Sequence, residues 1–235
     1  MSMNFRELAG YGQQHAPKFK AGFQVMAAMA SSLEAQGLLP QRIEVPVVTT
    51  EALREIKRFT PEARQLLEER GFVIHELTGQ SIKTLRDSGK SFWSTWHENN
   101  PKLEAMPSRS SEVAINPAQL LLPDSNRKTL EEQEQMVREF SKELTEETTI
   151  KDIEAVIGEM PDYIDLAFAH FDATGVRLFG EDYGYNYART KTPTVGSVVA
   201  FVGVFRVDDG LYVDGWSRDD GRAYVFASPL VVPKQ

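Results

Sequence analysis

After Ile153 the hydrophobic pattern of this chain changes period, and that change limits its fold more than any other feature. "IEAVIGE", "DLAFAHF", "VRLFG", "YNYART", "SVVAFVGVF", "GLYVDGW" and "AYVFASPLVVP" are short apolar runs separated by Gly, Asp or Pro. Runs of that length with that punctuation predict strands and turns. "EMPDYID", between the first two runs, reads as a turn into a helix or a strand.

Upstream the period is helical. "FRELAGYGQQ" and "KFKAGFQVMAAMASSLEAQG" carry Phe19, Phe23, Met26, Ala27 and Ala30 at i, i+3, i+4, i+7 spacing, stopped by Gly37 and Pro40. "RIEVPVVT" reads as extended. Thr50 is placed to cap "EALREIKRF", and Thr60-Pro61-Glu62 to open "EARQLLEERG", with Gly71 past its end. "FVIHEL" and "EVAINP" predict strands, and "SIKTLRDSGKSFWSTWHENN" a helix interrupted at Gly89. The plainest helix runs from Thr129 to Leu144, where Thr129 and Glu132 form a capping box and Leu130, Met136, Val137, Phe140 and Leu144 share a face. Pro101, Pro107 and three serines make "NPKLEAMPSRSS" a candidate boundary. Helices first and strands later predict an α+β fold: a mainly helical region 1–105 and a strand-rich α+β domain 106–235.

Composition removes several classes of function. The net charge of −8 argues against nucleic acid as a partner, since such binders carry a basic patch. With no cysteine there is no disulfide, thiolate chemistry or Cys-based zinc site. The first residues lack a basic-then-apolar leader pattern, and "VMAAMA" is far shorter than the roughly 20 residues a membrane span needs. The expectation is a cytoplasmic protein with no membrane span, surface or virion display being left open.

No GxSxG, Walker A or GxGxxG occurs, and "GEDYGYNYARTKT" lacks the spacing of a phosphate cradle. Its Tyr183, Tyr185 and Tyr187 alternate, as on one face of a strand, with Arg189 and Lys191 continuing the parity. They read as an aromatic sheet face or, in the functional alternative, as a stacking platform. His75, His97 and His170 have Glu76, Glu98, Asp165 and Asp172 nearby in sequence, but no pair shows metal-ligand spacing such as HExxH. They read as structural histidines, and no metal or cofactor is expected. Glu159, Asp162, Asp165 and Asp172 could supply paired carboxylates, but their spacing defines no reaction geometry. Trp93 and Trp96 read as core or domain-contact residues.

The tail is the compositional anomaly. From Thr192 to Pro233 there is no Lys, Glu, Gln or Met, yet five of the twelve aspartates lie between Asp208 and Asp220. Strands deplete Lys and Glu, but that leaves the crowding of Asp, Arg, Tyr and Ser unexplained. Rigid amphipathic Tyr, adaptable Ser, Gly and Asp, and planar Arg are the vocabulary of a binding surface.

"VVAFVGVF" followed by "GLYVDGWSRDDGRAYVFASPLVV" resembles the C-terminal variable region of target proteins of diversity-generating retroelements, over about 40 to 85 residues. The family's "GGSW" signature is not present. The resemblance implies a C-type-lectin-like fold, a bacterial or phage source, and adenine-directed codon change that yields Asp, Tyr, Ser, Gly and Arg but never Lys, Glu, Gln or Met. It implies a ligand-binding variable protein, not an enzyme. The displayed residues would be Asp208, Asp209, Tyr212, Asp214, Ser217, Arg218, Asp219, Asp220, Arg222 and Tyr224, on an apolar frame of Leu211, Val213, Trp216, Val225 and Ala227. The expected ligand is a protein or cell-surface molecule, through protein–protein interaction, and the N-terminal half could mount the domain or drive homo-oligomerisation. The alternatives are a metal-dependent or carboxylate-based enzyme built on His75, His97 and His170, and a structural protein of a mobile element.

Overall fold

Every residue from Met160 to Phe168 is buried, so the segment that holds them has no solvent face. In the computed structural model of the chain, which describes residues 2–3, 43–44, 56–95, 100–180 and 186–234, this segment is an α-helix between two sheets. The chain divides into two compact units between Arg54 and Glu55. In the first, Ser2–Met3 (β1) pairs antiparallel with Ile43–Glu44 (β2). The helices expected around Phe19 to Ala30, and residues 50–55 of the one expected after Thr50, lie outside the described residues; 56–59 of the latter are not helical, because Lys57 bridges to Ser111 beside β5.

The second unit follows as α1 (Pro61–Glu69), β3 (Val73–Thr78), α2 (Ile82–Asp87), β4 (Phe92–Thr95), α3 (Pro101–Glu104) and β5 (Ser110–Ile115). Then come α4 (Leu130–Thr148), β6 (Ile153–Val156), α5 (Met160–Thr174), β7 (Tyr187–Pro193), β8 (Val198–Arg206), β9 (Gly210–Ser217), β10 (Val225–Phe226) and β11 (Leu230–Pro233). Helices and sheets in one unit make the α+β class plain. One sheet has the order β3-β5-β11-β6 and the other β10-β7-β8-β9-β4. Both therefore join strands from either side of residue 105. The boundary expected there is absent: the backbone N–H of Ser108 bonds the Gln80 carbonyl and Arg109 binds Asp162 on α5.

The layers follow from strand alternation. On the four-stranded sheet Leu77, Val113, Ile115, Leu230 and Val232 face α5. Ala114, Ile153, Ala155 and Val231 face the other way, onto Ala63 and Leu67 of α1 and Leu130, Val137 and Leu144 of α4. On the five-stranded sheet Ala188, Ala200, Val202, Leu211 and Val213 pack towards α5, while Tyr187, Phe201, Val204 and Val225 point away from it. Thr60 and Thr129 cap α1 and α4 as their sequences require, the second with its Glu132 capping box.

Three expectations are corrected. "DLAFAHF" is helical, because a helix enclosed by two sheets is apolar all round and loses its 3.6-residue signature. "VRLFG" is turn and irregular chain. The helix expected over 81–100 ends at Asp87, with Gly89 at φ 88°, and the chain then extends as β4, parallel to β9.

Gly203 lets β8 approach β7. A methyl group there would meet the Asn186 carbonyl oxygen at 2.2 Å and the Tyr187 Cα at 2.8 Å. Directly after it the pairing slips, and Val204, at φ 45°, turns outward while Phe205 turns to α5. Gly203→Ala must push backbone from backbone, so we expect a loss of about 1–3 kcal/mol in a denaturant-unfolding measurement.

Candidate recognition face

Alternation along β9 sorts the tail. Leu211 and Val213 are fully buried towards α5, whereas Tyr212, Asp214 and Trp216 share the opposite face. Tyr212 stands beside the contacting pair Phe201 and Tyr187, with ring centroids 6.1 and 5.8 Å away. Tyr224 lies 5.7 Å from Tyr187. The parallel pairing of β4 adds Trp93, 4.8 Å from Tyr212 and 38% exposed. The result is a row of aromatic rings on the outer face of the five-stranded sheet. Its polar members are fixed: the Tyr212 hydroxyl donates to Asp214 Oδ2 at 2.6 Å, and Oδ1 accepts the Gly215 N–H at 2.7 Å. Burial, then the hydrogen bond and charge of Asp214, push the Tyr212 phenol pKa up.

The Ser217–Tyr224 segment closes one end of this row and is held by its backbone. Arg189, on β7 and only 1% exposed, donates to the carbonyls of Ser217 and Asp220 at 2.8 Å and of Lys128 at 3.3 Å. Burial lowers its pKa, partly offset by the charge of Asp220. The Arg218 carbonyl accepts the Leu130 N–H, the Arg222 carbonyl the Arg127 N–H, and the Ala223 carbonyl the Asn126 side-chain amide, each at 2.8 Å. Gly221 presses on Arg127, where a Cβ would meet the backbone at 2.2 Å. The side chains of Arg218, Asp219 and Asp220 are left exposed, and the Ser217 hydroxyl accepts the Asp219 N–H. Arg222 folds back over Trp216, its guanidinium carbon 3.4 Å from the ring centroid.

The ten residues singled out in the tail therefore do not form one patch. Tyr212, Asp214, Arg222 and Tyr224 come together with Trp216, and Ser217 to Asp220 border them. Asp208 and Asp209 occupy the β8–β9 turn, at the Arg206–Gly210 end of a ladder whose other end is Val198–Ser217. That is about 24 Å along the strand. Asp209 pairs there with Arg206 at 2.5 Å. Trp216 was expected in the apolar frame. It is half-buried on the Tyr212 face, as its parity with Tyr212 and Asp214 could have told. Trp93 was read as a core or contact residue, and only the parallel β4–β9 pairing brings it here. Tyr183 and Tyr185 lie outside the described residues.

The histidines of the enzymatic alternative are differently placed. His75 on β3 and His170 on α5 are buried, with Nε2 and Nδ1 3.0 Å apart. Their sequence-neighbouring acids are engaged elsewhere: Glu76 with Arg58, Asp172 with Lys90, and Asp165 with the Ser108 hydroxyl and Thr78 N–H. Burial pushes the Asp165 pKa up. Asp162 is held by the Arg109 guanidinium and caps the Glu159 N–H. His97 and Glu98 lie outside the described residues, and among the described residues no group of three His, Asp or Glu could hold a metal ion. No described helix is long and apolar enough to cross a membrane. No family model, no curated protein and no solved structure matches the chain.

Three outcomes are expected. Arg189→Met strips the Ser217 and Asp220 carbonyls of a charged donor; it should cost on the order of 3 kcal/mol and speed amide exchange at residues 218–225. Alanine at Arg218, Asp219 and Asp220 together should cost within about 0.5 kcal/mol each. For the histidine pair, burial and then the charge of His170 lower the His75 pKa from 6.5 to about 4. Between those values the unfolded chain binds a proton that the folded chain refuses. The contribution is complete above pH 6.5 and is lost as the pH falls towards 4. Urea midpoints should drop over that window in the wild type and drop less in His75→Gln.

Proposed function

We propose that this chain is a non-enzymatic binding protein whose recognition surface is the outer aromatic face of the five-stranded sheet together with the Ser217–Tyr224 segment. One observation carries the reading. The segment's polar side chains are exposed or half-exposed, while its backbone is fastened by groups outside it: Arg189, Arg127, Leu130 and Asn126. Such a segment keeps its path when its side chains change, which is what a displayed surface needs. Trp, Tyr and Arg supply rigid contact area, and Asp and Ser supply hydrogen bonds. A sheet face that presents a row of rings with Asp and Arg beside them suits a protein or cell-surface epitope.

The tail's resemblance to retroelement variable proteins fits the same geometry and brings a C-type-lectin-like fold as part of the proposal. Residues of the resemblance's apolar frame, Leu211, Val213, Val225 and Ala227, are fully buried. Its substitutable residues are the ones at or near the surface. Cytoplasmic location and homo-oligomerisation remain parts of the same proposal.

The test is genetic. The DNA beside the gene should hold a near-copy of the tail's coding segment that differs at adenines. Sibling genomes should then vary in the codons for Tyr212, Asp214, Arg218, Asp219, Asp220, Arg222 and Tyr224, and agree at Leu211, Val213, Val225 and Ala227. Uniform codons throughout, with no such copy, would defeat the retroelement reading.

A further inference from the structure

Five arginines lie on or beside the recognition face; three have their charge answered, and Arg127, whose backbone holds the segment, has an exposed side chain. Arg189 is spent on three carbonyls, Arg206 pairs with Asp209, and Arg218 lies 3.9 Å from Asp219. The guanidinium of Arg222 makes no hydrogen bond or ion pair with any described residue. Its Nε is buried without a partner, and its plane is held by Trp216 at 3.4 Å and Tyr224 at 5.9 Å. The nearest acids in sequence do not answer it. Asp214 is taken by Tyr212 and Gly215, and Asp219 and Asp220 are exposed.

Resting on the proposed recognition face, we infer that Arg222, stacked on Trp216, is the subsite for one carboxylate of a protein partner, an acidic side chain flanked by an apolar or aromatic one. Stacking immobilises the guanidinium and leaves its two terminal nitrogens as a planar fork. That fork matches a carboxylate through two parallel N–H···O bonds. The aromatic rings beside it cover the apolar neighbour. A phosphate is disfavoured: a dianion calls for more than one cation, whereas this fork stands two and three residues from Asp220 and Asp219 on a chain of net charge −8. Trp216 Nε1, buried and without a partner, lies under the same stack and reports on its occupancy.

The experiment titrates the whole chain, 15N-labelled, with phenylacetate, phenylacetamide and phenyl phosphate at up to tens of millimolar. It follows the Trp216 indole N–H, assigned by its loss in Trp216→Phe. Phenylacetate should bind at least about fivefold more tightly than the neutral amide, the scale of a charge-assisted hydrogen bond. Arg222→Gln should erase that ratio, and Arg138→Gln, on the exposed side of α4, should keep it. If Arg222→Gln does not fold, Arg222→Lys retains the charge without the fork and should reduce the ratio. Equal binding of acid and amide, a ratio that survives in Arg222→Gln, tighter binding of phenyl phosphate, or no response to any probe would each overturn the inference. The acid-to-amide ratio is independent of codon variation, so failure here leaves the genetic test of the face untouched, and the reverse.

Discussion

The burial of α5 between two sheets is the constraint on which the rest of the structure depends. Its residues Met160 to Phe168 give both sheets a common core, with side chains of about 1.5–3 kcal/mol each for the large apolar ones. Its N-terminus is tied to both. The Tyr163 hydroxyl donates to the Ser228 carbonyl before β11, and Thr192 on β7 accepts the Met160 N–H. With one face of each sheet committed to this helix, the other two faces are free to differ. One is covered by α1 and α4, and the other becomes the aromatic row.

That division separates the core from the outer face. In β9 alternate residues belong to different layers: Leu211 and Val213 to the core, Tyr212, Asp214 and Trp216 to the outer face. The bulge at Val204 sends Phe205 back to α5 and keeps the outer row to Val204, Phe201 and their neighbours. The Ser217–Tyr224 segment extends the logic, since Arg189 binds its carbonyls and asks nothing of its side chains. A buried guanidinium served only by carbonyls is costly to assemble, but once the carbonyls are in place it fixes their geometry more tightly than solvent would.

The histidine pair illustrates the opposite use of burial. His75 and His170 sit between β3 and α5, where burial lowers the pKa of both. Their neighbouring carboxylates in sequence serve Arg58, Lys90 and Ser108, so closeness along the chain did not translate into a shared site.

The sequence by itself determined the elements whose signals are local. The capped helix after Thr129, the helix after Thr60, and the strands β3, β5, β7, β8 and β9 all carry their own caps, turns and periods. It also told which tail residues were unusual, because composition needs no geometry. Tertiary structure decided what depends on enclosure and on pairing between distant segments. A helix buried on every side has no amphipathic period, so "DLAFAHF" looked like a strand. The 105 boundary dissolved because β3 and β4 pair with strands from far downstream. Trp93 joined the face through β4, Arg189 became a clamp through the folded loop, and Asp208 and Asp209 were carried to the far end of the ladder. Each of these is a contact between residues whose separation along the chain says nothing of their separation in space.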